Sequence, residues 1–157
     1  MELSIIFLPL IASIISGFFG RYIGDRNSEI VTSTLVSISA FLSIYVLYQV
    51  IVNQYEENIV IATWINSGSL DVNWSMLIDP LSAVMLVVVT SVSSLVHIYS
   101  IGYMSHDPHK PRFMAYLSLF TFAMLMLVTS DNFIQLFFGW EGVGLCSYFL
   151  IGFWFKK

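Results

Sequence analysis

One carboxylate, Glu141, stands alone in an otherwise uncharged run from Asn132 to Phe155. A charge at the middle of a bilayer costs at least ~2.5–3.5 kcal/mol, so an intramembrane acid is a functional candidate by default. Low-dielectric surroundings disfavour the ionised form, and a nearby cation favours it. A carboxylate whose charge is set by such a cation binds and releases a proton. Counted along a helix, Glu141 lies about nine residues into its segment, roughly 14 Å below the outer end. Gly139, Gly142, Gly144, Cys146 and Ser147 give this segment little bulk, which lets other helices approach its backbone closely. Helical spacing puts Phe137, Phe138, Gly144, Leu145 and Tyr148 near the acid. The blander alternative is a neutral glutamic acid that bonds a backbone carbonyl or holds two helices together.

His97 is the other titratable group within an apolar run. About seventeen residues into its segment, it is predicted roughly 25 Å from the outer face, an axial offset of about 11 Å from Glu141. A direct hydrogen bond between the two is excluded at that offset. His97 therefore reads as a packed histidine, with a secondary place on a proton path as the alternative. His106-Asp107-Pro108-His109 has the outward look of a metal site, but a solvated basic loop explains it, and no metal is expected. Asp131 is expected to cap the last segment, because Asp131-Asn132 is the whole turn between two helices. Cys146 is the sole cysteine, so an internal disulfide is excluded. No phosphate loop, nucleotide fingerprint or nucleophile triad appears.

The elements that hold these residues follow from composition. Of 157 residues, 57% are hydrophobic and only 10% charged, and mean hydropathy is +0.83. Soluble domains carry about 25% charged residues, so this chain's solvent is largely lipid. No basic cluster suited to nucleic acid is present. Five apolar runs, 3–20, 30–55, 80–106, 113–130 and 132–155, are long enough to cross a core of ~30 Å, the fourth only barely. Helices are required there because lipid offers no partner to a free backbone group. The fold class is thus an all-α integral membrane protein with five transmembrane helices. The first run is not expected to be a cleaved signal, since Glu2 replaces the usual basic flank.

All six basic residues fall on one side of a five-span topology: Arg21 and Arg26, Lys110 and Arg112, Lys156 and Lys157. The positive-inside rule places that side in the cytoplasm and the N-terminus outside. Between the second and third runs, Ile59–Ile65 is rich in β-branched residues, and Leu70, Val72, Trp74 and Met76 alternate with polar neighbours. Asn66-Ser67-Gly68-Ser69 between them is a turn signal, so an extracytoplasmic β-hairpin is predicted. Asp79-Pro80 reads as an N-cap followed by proline at the first helical position.

The run Phe138-Gly139-Trp140-Glu141-Gly142-Val143-Gly144-Leu145-Cys146-Ser147-Tyr148 closely resembles the subunit L, or chain 5, family of NADH-quinone oxidoreductase, respiratory complex I. Leu77-Ile78-Asp79-Pro80-Leu81-Ser82, His97-Ile98-Tyr99, Tyr103-Met104 and Arg112-Phe113-Met114-Ala115-Tyr116 match as well, covering the chain from about Asp79 onward. The first two spans match mainly in pattern. The resemblance implies an antiporter-like subunit that translocates protons, with the helix-five glutamate taking part and paired with lysines on later helices. It also implies partner subunits in the complex I membrane arm and a bacterial inner membrane, the mitochondrial inner membrane being the alternative. Flavin (FMN), iron–sulfur clusters and quinone would belong to those partners, with no cofactor in this chain.

Family members have well over a dozen transmembrane helices. The lysines here are Lys110, Lys156 and Lys157, all expected at the inner surface, so the implied lysine partners lie elsewhere. Residues 1–157 are therefore expected to be an N-terminal portion, whether of a split subunit, a truncated product or a longer protein, and inactive alone. Two other functional classes stay open: a cation/proton antiporter subunit, and a non-functional fragment of either.

Overall fold

The computed structural model describes residues 1–68 and 70–154, so Lys156 and Lys157 lie outside the described residues. Among them, five helices are long and apolar enough to cross a membrane. In chain order the elements are α1 (Glu2–Ile23), α2 (Asp25–Asn53), β1 (Glu57–Ser67), β2 (Leu70–Ile78), α3 (Pro80–Tyr103), α4 (Lys110–Val128) and α5 (Phe133–Ile151). The fold is thus helical and membrane-spanning, with one small two-stranded sheet. Helices α1 to α4 form a bundle in which α1 lies against α2 and α4, and α2 against α3. Helix α5 stands outside this bundle and packs on α4.

Each boundary has a local cause. Asp79 accepts from the Ser82 amide at 2.6 Å while the Ser82 hydroxyl accepts from the Asp79 amide at 2.8 Å, a reciprocal box that starts α3 ahead of Pro80. Helix α5 is capped by Asn132, whose Oδ1 accepts from the Gln135 amide at 2.9 Å. This corrects the expectation for Asp131. Its carboxylate instead accepts from Asn58 Nδ2 at 2.8 Å and the Ser75 hydroxyl at 3.2 Å. The residue beside the helix caps it, and the preceding one ties the α4–α5 turn to the hairpin.

The predicted hairpin is present. Strands β1 and β2 pair antiparallel with two register shifts in β1, and Gly68 takes the left-handed φ of 63° that the turn needs. Leu77 donates its amide to the Thr129 carbonyl at 2.9 Å, so the sheet closes one end of the bundle. There Ile5, Ile6, Val46, Val50, Met76, Ile78, Ala83, Leu86, Leu125 and Met126 form one apolar core. The opposite end gathers Arg21, Arg112 and His109 around a cleft of about 720 Å³ that Asp25 also lines.

Between these ends the helices are tied largely by hydroxyls. Pro9 inside α1 has no N–H to give the Ile5 carbonyl four residues earlier. Ser39 of α2 supplies the missing donor, at 2.6 Å. Ser13 and Ser16 of α1 donate to the α4 carbonyls of Ala115 and Pro111 at 2.9 and 2.7 Å. Ser37 and Ser43 of α2 pair with Ser94 and Thr90 of α3 at 2.8 and 2.7 Å.

Candidate functional site

Glu141 is the ninth residue of α5, and its side chain is exposed on the surface of the five-helix unit. The reason is the stripe on the opposite face. Gln135, Gly139 and Cys146 are buried, Gly142 is half-buried, and their spacing of four, three and four residues lines one side of a helix. Backbone contact requires glycine at 139, and the fit is tight at 142. A Cβ on Gly139 would lie 2.8 Å from Leu127 Cα, and one on Gly142 would lie 3.2 Å from Ala123 Cβ. Gly144 meets nothing within 4 Å, so it belongs to the open face with Glu141, Leu145 and Tyr148.

Gln135, unremarked in the sequence, fixes the outer end of this helix. It accepts from the Ser75 amide at 3.0 Å and donates to the Ser75 carbonyl at 2.6 Å, acting as a substitute strand partner. Phe138 turns away from Glu141 and packs edge-on against Trp74 of the hairpin, ring centroids 4.9 Å apart. Among the described residues Glu141 has neither a hydrogen bond nor an ion pair. The carboxylate is thus presented outward by a helix anchored on its other side.

His97 is fully buried between α3 and α4. Its Nδ1 lies 2.8 Å from the Ser93 carbonyl, and its Nε2 lies 3.0 Å from the Ser118 hydroxyl. A carbonyl only accepts, so Nδ1 carries the proton; in the neutral ring Nε2 then accepts from Ser118. Ser93 extends the chain of hydroxyls to Thr121 at 2.5 Å. Such a ring can take a second proton at Nε2 if the Ser118 hydroxyl rotates from donor to acceptor.

The structure does not bring Glu141 and His97 together. The Gly142–Ala123 approach sets Glu141 level with residues 123–124 of α4, while His97 is level with Ser118. At helical rise this is an offset of about 8–9 Å, with α4 between the two. Among the described residues no group of His, Cys, Asp and Glu is placed to hold a metal ion. In the 106–109 segment, Asp107 accepts from the His109 amide at 2.8 Å and from the Trp154 indole at 2.7 Å.

One acid at the edge of an apolar run is part of the interior, and a lysine expected at the inner surface lies against it. Glu29, the residue just before the second apolar run, lies inside α2 and is 5% exposed. Its Oε1 faces Lys110 Nζ of α4 at 3.8 Å. The signal was present in the sequence as an acid and a base at matching ends of two runs, but adjacency of α2 and α4 is a tertiary fact.

Comparison with known proteins agrees with this architecture. Residues 64–114 match the family described as NADH-ubiquinone oxidoreductase (complex I), chain 5 N-terminus, and residues 130–157 match NADH:quinone oxidoreductase/Mrp antiporter, TM. NADH-ubiquinone oxidoreductase chain 5 of Arabidopsis thaliana is 58% identical over 100% of this chain and 24% of its own length. The Triticum aestivum protein of that name is 57% identical over 100% and 23%, and that of Phytophthora infestans 55% identical over 99% and 23%. The 157 residues thus span about a quarter of the length of these relatives. With its apolar helices, this makes the chain a multi-pass membrane protein that belongs to the NADH-ubiquinone oxidoreductase chain 5 family.

Proposed function

We propose that residues 1–157 are the N-terminal transmembrane part of an antiporter-like subunit that translocates protons in NADH:quinone oxidoreductase, and that Glu141 is a proton-carrying group. The carrying observation is the placement of Glu141. It stands mid-span on the uncovered face of α5, opposite the Gly139–Gly142–Cys146 stripe that seats the helix on α4. An ionisable side chain at that depth needs a partner from protein or water, and the open face leaves room for further helices to supply one. The relatives, more than four times as long, have the residues to build them.

In this reading flavin, iron–sulfur clusters and quinone are carried by other subunits, which drive proton movement through this one. Other complex I membrane subunits and the lipid bilayer are its surroundings. The basic end, with Arg21, Arg26, Lys110 and Arg112, faces the cytoplasm or matrix by the positive-inside rule. The membrane in this reading is a bacterial inner membrane or, as the plant relatives support, the mitochondrial inner membrane. His97 is a secondary proton-path residue, held ready by its Ser93 and Ser118 bonds.

The test is Glu141→Gln in the assembled complex. Protons moved per NADH should fall about tenfold, equivalent to ~1.4 kcal/mol at the barrier, with complex abundance little changed. Glu141→Asp should keep part of the activity, because the acid remains but its reach shortens. Wild-type pumping by Glu141→Gln would remove the proposed role. A second reading, sodium/proton exchange, is favoured by the antiporter in the description of the family matched by residues 130–157. Proton movement in vesicles that follows a sodium gradient rather than NADH oxidation would select it.

A further inference from the structure

The interior near the basic end holds polar atoms that the bundle leaves unpartnered. Glu29 is 5% exposed and Ser33 7%. Neither Glu29 Oε1 nor Ser33 Oγ has a hydrogen-bond partner. Lys110 Nζ, at 3.8 Å from Glu29 Oε1, is beyond hydrogen-bond range. The large majority of buried side-chain polar atoms are bonded, and a group with no protein partner is where ordered water belongs. Two such groups one helical turn apart on α2 form a pair.

Register places this pair on a line. Glu29, Ser33 and Ser37 repeat every four residues, one face of α2 with steps of about 6 Å. Ser37 meets Ser94 of α3. Because α2 and α3 run antiparallel, Ser33 falls at the level of His97. The line starts where Lys110 remains 19% exposed at the side chain, next to Pro111. There the cleft of about 720 Å³ reaches down to Ser16, whose hydroxyl is bonded to Ser28, the neighbour of Glu29. The cleft thus brings solvent to Ser16 and to Pro111, the chain neighbour of Lys110, and Ser33 carries an unpartnered hydroxyl level with the buried histidine.

We infer that Glu29, Lys110 and Ser33 line a water-filled proton-access route from the basic end of the bundle to His97. The inference rests on the proton-translocation reading but not on Glu141. Along this route a proton passes between waters and the Glu29 carboxylate. It reaches the imidazole at Nε2, where the Ser118 hydroxyl turns from donor to acceptor.

Two measurements on the complete subunit in its assembled complex decide it. In a Cys146→Ser background, Ser33→Cys is exposed in sealed vesicles to a membrane-impermeant methanethiosulfonate at the basic face, and labelling of this subunit is read by mass spectrometry. Ser33→Cys should label at least about tenfold faster than Ser43→Cys, since the reactive thiolate forms only where water reaches it. Ser43 is the dry control, buried and bonded to Thr90. Equal labelling of the two overturns the route.

Protons moved per NADH are then measured for Ser33→Ala and Glu29→Gln. In a dry structural seam, losing an unpartnered hydroxyl is neutral or stabilising. On a water route Ser33→Ala should instead lower pumping about twofold at unchanged complex abundance, a difference of ~0.4 kcal/mol at the barrier. Rapid labelling with undiminished pumping in both variants overturns the proton role. Labelling does not involve Glu141, so wild-type pumping by Glu141→Gln would sink that assignment and leave this result standing.

Discussion

The two ends of the bundle are built on different physics. At the hairpin end, aliphatic side chains from α1, α2, α3, α4 and β2 converge on one core, and a sheet with an exposed outer strand covers it. Water bounds that end, so removing apolar surface from water stabilises it directly. Toward the basic end the interior switches to Ser13, Ser16, Ser28, Thr32, Ser33, Ser37, Ser94, Ser118, Glu29 and His97. Lipid tails are as apolar as leucine, so helices there gain little by hiding apolar surface and associate through close packing and interhelical hydrogen bonds. The hairpin end is an apolar core; toward the basic end the interior is a seam of hydroxyls with one acid and one histidine.

The contrast can be broken at measurable points, each followed as thermal retention of this subunit in the purified complex. Leu86 is fully buried in the hairpin-end core, and Leu86→Ala should cost ~2–5 kcal/mol through the cavity it leaves. Equal tolerance of this change and of hydroxyl deletions in the seam would erase the distinction. Next in size is Gly139→Val, which drives a side chain into the Leu127 backbone and should cost about 1–3 kcal/mol by overpacking. Gly144→Val, on the open face, should leave the α4–α5 contact intact. Smallest is Ser39→Ala, which orphans the Ile5 carbonyl freed by Pro9. Bonds of this kind between membrane helices are worth about 0.6 kcal/mol. A loss as large as that of Leu86→Ala would show the hydroxyl to be a principal tie.

The helices were legible because each apolar run is closed by charge or by a turn residue, and lipid permits only one way to satisfy the backbone. The Asp79-Pro80-Leu81-Ser82 start and the hairpin were legible for local reasons, a cap and a turn within four residues. Glu141 was legible as an isolated acid. Its outward direction was not, because Gly139 and Gly144 look alike in sequence and only packing on α4 tells them apart. Asn132 was passed over for Asp131 since both are good caps, and the choice depends on where the hairpin lies. The Glu29–Lys110 pair is not legible in the sequence because a charge at the end of an apolar run reads as its boundary, whereas α2 starts four residues earlier, at Asp25.

Gly24 alone separates α1 from α2, at φ 87° and ψ 159°, a conformation essentially confined to glycine. Its amide closes the last turn of α1 on Gly20 at 3.0 Å, and its carbonyl opens the first turn of α2 with the Ser28 amide at 3.1 Å. No loop exists there to be threaded across a bilayer or cut by a protease. The single-residue joint therefore folds α1 back on α2 as an antiparallel pair, with Gly24 as its pivot.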